Sequence, residues 1–397
     1  MQGSRENKQI ERDTPGNEQD DMKFESLARK RPSGGMLSRV ALIAALVLVL
    51  IAGMTIGAVA IIKNTNFGFT PTTSGNTANQ AAPGNSALAS NANGVVNFID
   101  QPGGSGHSNA ITISISNLRT PPSGSQYDAW FIDTSTKHVL ALGALSPKDQ
   151  AYTLTYSDNG VNLVGLGDEI EITLEHGAAT KPAQNVLLSA AFPAKAFVYV
   201  RHMLTSYSTT PGHIGLLVGL IEQAKLLNSV AHSLTSNPNA TATRCIAQAA
   251  LDIMEGKSGA DYKPLDASCS AAGIAGTGDG FGLLGTNGYI AVTQAQDLLA
   301  NAQPDANSLI HEHSRHVTYG LQDMNTWLTT AQQDALALLN NPANSAKAQE
   351  LATLANHAYF GYDANHDGKI DYVPGEAGSM ISYQHGQFMT ALVLSPN

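Results

Sequence analysis

The sequence predicts a multi-domain chain: a single transmembrane helix, an antiparallel β-sandwich, then an all-α helical bundle with an internal two-unit repeat. Three observations predict it. Residues 40–62, "VALIAALVLVLIAGMTIGAVAII", carry no charge. From Gly94 to about Leu204, apolar and polar residues alternate between turn signals. Beyond Leu204 the apolar spacing lengthens to three and four, the period of helices.

At about 1.5 Å per residue, a helix over the uncharged run crosses a ~30 Å hydrocarbon core. The expected span is 37–62, and a secretory signal peptide cleaved near Ala58 to Ala60 is the alternative. Arg29, Lys30, Arg31 and Arg39 flank the run on one side and Lys63 alone on the other. That bias predicts a single-pass plasma-membrane protein with a cytoplasmic N-terminus and extracytoplasmic C-terminal domains. Residues 1–36 mix both charge signs without an apolar period and are expected to be a disordered cytoplasmic tail. Residues 63–93, rich in Asn, Thr, Ser, Ala, Gly and Pro, are expected to be a flexible linker. The chain's net charge is −10; the residues beyond Lys63, with 13 Lys and Arg against 25 Asp and Glu, carry −12, which excludes a nucleic-acid partner on electrostatic grounds.

The predicted β-sandwich covers 94–204. Its strands are 111–118, 127–133, 138–145, 151–156, 168–175 and 196–203, separated by turns such as "TPPSGS" and "SDNG". The predicted bundle covers 205–397, with helices at 213–234, 242–256, 288–302, 305–339, 345–361 and 382–394. Aligning "RCIAQAALDIMEG" with "QELATLANHAYFG" suggests two units, each a long helix, a shorter one, a Gly- and Asp-rich loop and a closing helix. In that alignment His213 falls near His316.

Chemistry is concentrated in "YDANHDGKIDY". Asp363, Asn365 and Asp367 alternate, Gly368 permits a sharp turn, the carbonyl of Lys369 follows, and Asp371 takes the ninth position. The loop resembles an EF-hand or dockerin-type calcium loop, although Pro374 stands where the twelfth-position Glu belongs and Glu376 comes two residues later. The alternative is an Asp- and Asn-rich turn. Cys245 and Cys269, the only cysteines, are expected to form a disulfide, with two separate buried thiols as the alternative.

Eight histidines fall in the helical part: His213, His232, His311, His313, His316, His357, His366 and His385. "LIHEHSRH" lacks the zinc-protease pattern, because Arg315 stands four beyond His311. His313 and His316, three apart, share one helix face. Two readings of the set stay open: ligands for a transition metal or haem, or ordinary hydrogen-bonding residues. G-x-S-x-G, a P-loop and a dinucleotide fingerprint are all missing, which predicts a protein that is not an enzyme.

Tyr127 and Trp130 in their strand, the strand reaching Gly143, and "ITLEHG…KP" from Ile172 to Pro182 together resemble the extracytoplasmic C-terminal domain of bacterial anti-sigma-K factors (RskA), over residues 94–195. The resemblance implies an exported β-domain coupled through the membrane to a sigma-factor-binding part. Residues 1–36 lack the cysteines of a zinc-type sigma-binding domain. The leading expectation is therefore a membrane-anchored extracytoplasmic sensor or binding protein with a calcium-stabilised helical domain. The alternatives are a transmembrane anti-sigma-type regulator with a sigma factor or other protein as partner, and a metal- or haem-binding electron-transfer protein using the helix histidines.

Overall fold

Alternating burial builds the strands of the computed structural model, which describes residues 86–397 apart from Ser105. In β1 (Asn93–Ile99) Val96 and Phe98 point inward, and in β2 (Ala110–Ser116) Ile111, Ile113 and Ile115 do so. The remaining strands are β3 (Gln126–Asp133), β4 (His138–Ala144), β5 (Ser146–Lys148), β6 (Ala151–Ser157), β7 (Glu169–Glu175), β8 (Val186–Ala191) and β9 (Leu392–Pro396). All paired neighbours run antiparallel, in the order β4-β3-β7-β8-β9-β1-β2-β6-β5. The edge strands β4 and β5 are consecutive in sequence, with only Leu145 between them. The sheet therefore curls into a nearly closed barrel.

This corrects the predicted sandwich. The chain's last strand, read from sequence as the end of a helix, pairs with β1 through Gly94 to Val96 and with β8 through Leu188 and Ser189. It joins what would otherwise be two separate sheets, burying Leu392 and Leu394.

The helices are a short α1 (Ser86–Ala89), then α2 (Ala196–Leu204), α3 (Leu216–His232), α4 (Ala240–Glu255), α5 (Ala267–Ala271), α6 (Tyr289–Asn301), α7 (Ser308–Asn340), α8 (Ser345–Phe360) and α9 (Ser379–Phe388). Helix α2 replaces a predicted strand. Phe197, Val200, Met203 and Leu204 are buried at helical spacing, and Asp305 accepts the amides of Lys195 and Ala196 at its start. Asn239, Asn307 and Asn344 cap α4, α7 and α8 by accepting the amide three residues on.

The core runs without a break from the barrel into the helices. Phe98 packs on Phe131 and Phe192, and Phe192 stacks on Phe197 of α2 at 3.6 Å. Trp130 is a buried core residue whose Nε1 donates to Thr173 Oγ1 at 2.8 Å.

Helices α4 and α8 end alike. Gly256 and Gly361 both take positive φ, and the next amide donates to a returning loop, Lys257 to the carbonyl of Gly280 and Tyr362 to that of Glu376. The two helices α4 and α8 thus share one way of meeting the loops that lead into α6 and α9. His213 and His316 are not counterparts in this arrangement: His213 lies exposed in a 3₁₀ turn, His316 buried within α7. Cys245 and Cys269 are joined across 5.3 Å between their Cα atoms and tie α4 to α5. Closing a loop of that size contributes about 3 kcal/mol by the loop-entropy account.

The membrane expectation is corrected as well. Among the described residues no helix is long and apolar enough to cross a membrane, which goes against the expected single-pass plasma-membrane placement. The run 40–62 on which it was placed, the tail 1–36 and most of the linker 63–93 lie outside the described residues.

Candidate metal centre

Helix α7 presents His313 and His316 on one face, because residues three apart lie one turn above each other. The third histidine comes from α9, and small residues let that helix approach. A Cβ at Gly320 would collide with Ser382 Oγ, and one at Gly386 with the Leu217 side chain. Ser382 Oγ donates to the carbonyl of Val317. The close crossing aims His385 at the α7 pair.

The result is a buried trio. His313, His316 and His385 are 8%, 5% and 4% exposed. His385 Nδ1 lies 2.9 Å from His313 Nδ1 and 3.1 Å from His316 Nδ1. Burial pushes all three imidazoles down, His313 and His316 to about 4, with His316 acting further on His313 and Arg315 on His316. His385 is lowered by burial and by its two neighbours. The cluster is therefore neutral at physiological pH, with lone pairs available.

A ring nitrogen carries either one hydrogen or one lone pair. His385 Nδ1 cannot make two good hydrogen bonds to two other ring nitrogens at once. A cation between the three satisfies all three lone pairs together. Bond lengths of 2.0–2.1 Å to a tetrahedral zinc ion place nitrogens about 3.3–3.4 Å apart, a few tenths of an ångström beyond the 2.9 and 3.1 Å that separate His385 Nδ1 from the other two. The trio could hold a metal ion, and among the described residues no other group of His, Cys, Asp or Glu gathers three ligand atoms within 4.8 Å.

Aromatic rings enclose the trio. Phe388 lies 5.2 Å from the His313 ring and 5.3 Å from that of His385. Tyr372 lies 4.4 Å from His316 and 4.9 Å from His385 while remaining 44% exposed.

The opposite face of α9 enters a polar network. Asp100 Oδ1 accepts from Ser108 N, Tyr383 Oη and Gln387 Nε2, each at 2.7 Å. His107 meets Tyr383 Oη through Nδ1 and Glu222 Oε1 through Nε2, at 3.0 and 3.2 Å. Its hydrogen bonds to Asp100 and Glu222 outweigh burial and raise it to about 9. Burial pushes the Asp100 carboxyl up, but its donors His107, Ser108 and Tyr383 bring it below its ordinary value. One ten-residue helix thus links the barrel to the histidine trio.

The calcium-type loop stands immediately before Tyr372. Asp363 accepts the amides of Asp367 and Gly368, Asn365 that of Asp367, and Asp367 that of Lys369. The amide of Asp371 donates to Glu376 Oε2. These side-chain oxygens turn inward onto the loop's own backbone. Asp363, Asp367 and Asp371 do not come together as a three-ligand group.

Of the eight helical histidines the structure brings together three. His232 lies exposed at the end of α3, His311 meets Asn301, His357 stacks on Tyr362, and His366 sits at positive φ in the loop. The i, i+3 pair was legible in sequence. His385, 69 residues beyond His316, was not marked by any local spacing.

No family model, curated protein or solved structure matches this chain. The resemblances to the RskA C-terminal domain and to EF-hand loops rest on the residues alone, and the buried trio of histidines is the feature from which function is argued.

Proposed function

We propose that the protein binds one transition-metal ion through Nδ1 of His313, His316 and His385. The observation that carries this reading is the convergence of three buried, neutral ring nitrogens from two helices. Imidazole suits zinc, copper, iron and nickel, whereas calcium prefers oxygen ligands. A porphyrin takes axial ligands from its two opposite faces, so three nitrogens crowded around one point suit a lone ion better than haem. The absence of a carboxylate from the trio leaves the site neutral before loading, and the ion brings all of its charge.

The test is zinc titration of the metal-stripped full chain by calorimetry, with elemental analysis of the purified protein. One zinc per chain is expected, with affinity lost in His385→Ala and His313→Ala while His311→Ala binds normally. Failure of the parent protein to bind any transition metal at one per chain would overturn the proposal.

A further inference from the structure

Resting on the three-histidine reading, we infer that the fourth coordination position of the bound ion is exchangeable and takes a small anion or water entering beneath Tyr372. The first argument is ligand count. Zinc and cobalt in nitrogen-rich sites take four ligands, and a site with three protein ligands leaves the fourth place to an outside molecule. Among the described residues no fourth His, Cys, Asp or Glu ligand atom joins His313, His316 and His385.

The second argument is charge. Three neutral imidazoles leave a divalent ion with both positive charges in surroundings only 4% to 8% exposed. A cation taken out of water needs an opposite charge nearby. Arg315 acts electrostatically on His316 and has the wrong sign to balance the ion. An anion from solvent is the partner that this balance calls for.

The third argument is the route. Phe388 covers His313 and His385 on one side, while Tyr372, itself 44% exposed, lies against His316 and His385 on another. Tyr372 is held by the loop and not by a helix. The loop's return is fixed where Asp323 Oδ2 accepts the amides of Gly375 and Ala377 and where Glu376 accepts that of Asp371. The tyrosine ring is thus a cover set on an anchored loop, with solvent on its outer side.

The test uses the full chain loaded with cobalt(II), whose visible absorption reports coordination, and sodium azide as the probe. A saturable shift of the cobalt bands on adding azide is expected, and Tyr372→Ala should speed the approach to that shift without altering cobalt stoichiometry. Stoichiometric cobalt whose spectrum ignores azide would overturn the open position while leaving the three-histidine site standing. A changed spectrum in azide-free Tyr372→Phe would make the phenol oxygen the fourth ligand and overturn it too. If no cobalt binds, the three-histidine reading itself fails and this inference falls with it.

Discussion

Asp297 lies fully buried on α6, where Oδ2 accepts from Ser314 and Thr318 of α7 at 3.0 Å each and Oδ1 has no hydrogen-bond partner. Burial raises this carboxyl to about 7, against the two hydroxyl bonds that lower it. A raised folded-state value means the folded chain holds its proton more tightly than the unfolded chain. The stability this adds is full below about pH 4 and lost as pH rises through about 7. Asp297→Asn keeps the shape and removes the charge, so it should flatten the pH dependence and stabilise the protein at pH 8 by on the order of 2 kcal/mol or more. Thermal melts of both proteins at pH 5 and pH 8 check it. His107 behaves with the same sign: its stabilising contribution is full below its ordinary 6.5 and lost as pH rises through about 9. Because His107 is partly exposed, His107→Gln should cost only about 1 kcal/mol at pH 7 and nothing above pH 10, read by denaturant titration. Neither residue stands out in the sequence, since a lone Asp in an amphipathic helix and a lone His in a Gly-rich turn acquire their surroundings only from other elements.

At the scale of elements, α9 determines whether the trio forms. A Cβ added to Gly320 of α7 would collide with Ser382 Oγ of α9 and lie 2.9 Å from the carbonyl oxygen of Gly378, the residue before α9. Gly320→Ala should push α9 away, costing about 1–3 kcal/mol as overpacking does and weakening zinc binding more than His311→Ala does. Calorimetric zinc titration of both variants beside thermal melts separates the two effects. The six long helical segments were legible because their apolar residues recur at three and four and Asn or Gly marks several of their ends. Their packing was not legible, because close crossings depend on glycines that the alternation of polar and apolar residues leaves unmarked. The stretch 196–203 read as a strand because Val198, Val200 and the aromatic residues favour strands; capping by Asp305, more than a hundred residues away, favours the helix. Strands β1 and β8 were missed, the first beside a linker-like composition and the second behind Pro182 and a polar turn.

For the whole molecule, β9 decides how the barrel closes. Ending the chain after Ala391 should remove the cooperative thermal transition, because Leu392 and Leu394 each bury about 1.5–3 kcal/mol of side chain and β1 and β8 lose their common partner. Circular dichroism melts and limited proteolysis of the truncated chain test this, with the substitution Val393→Thr, at an exposed position, as the control expected to melt normally. The class "strands first, helices second" was legible in the order of periods along the chain. That the last five-residue strand returns to the sheet was not, since its apolar residues continue the spacing of the helix before it. Only the gap between β1 and β8 distinguishes the two readings, and that gap is a property of the assembled sheet.

The position of β9 also sets an order on synthesis. A ribosome makes β1 and β8 long before it makes their shared neighbour, so two unpaired strand edges wait while the helical region emerges. The helices can gather first, and the barrel is sealed only once β9, made after them, pairs with β1 and β8. A chain stopped early would carry two edges open to any other strand. Synthesis through β9 is therefore the step that covers the two edges.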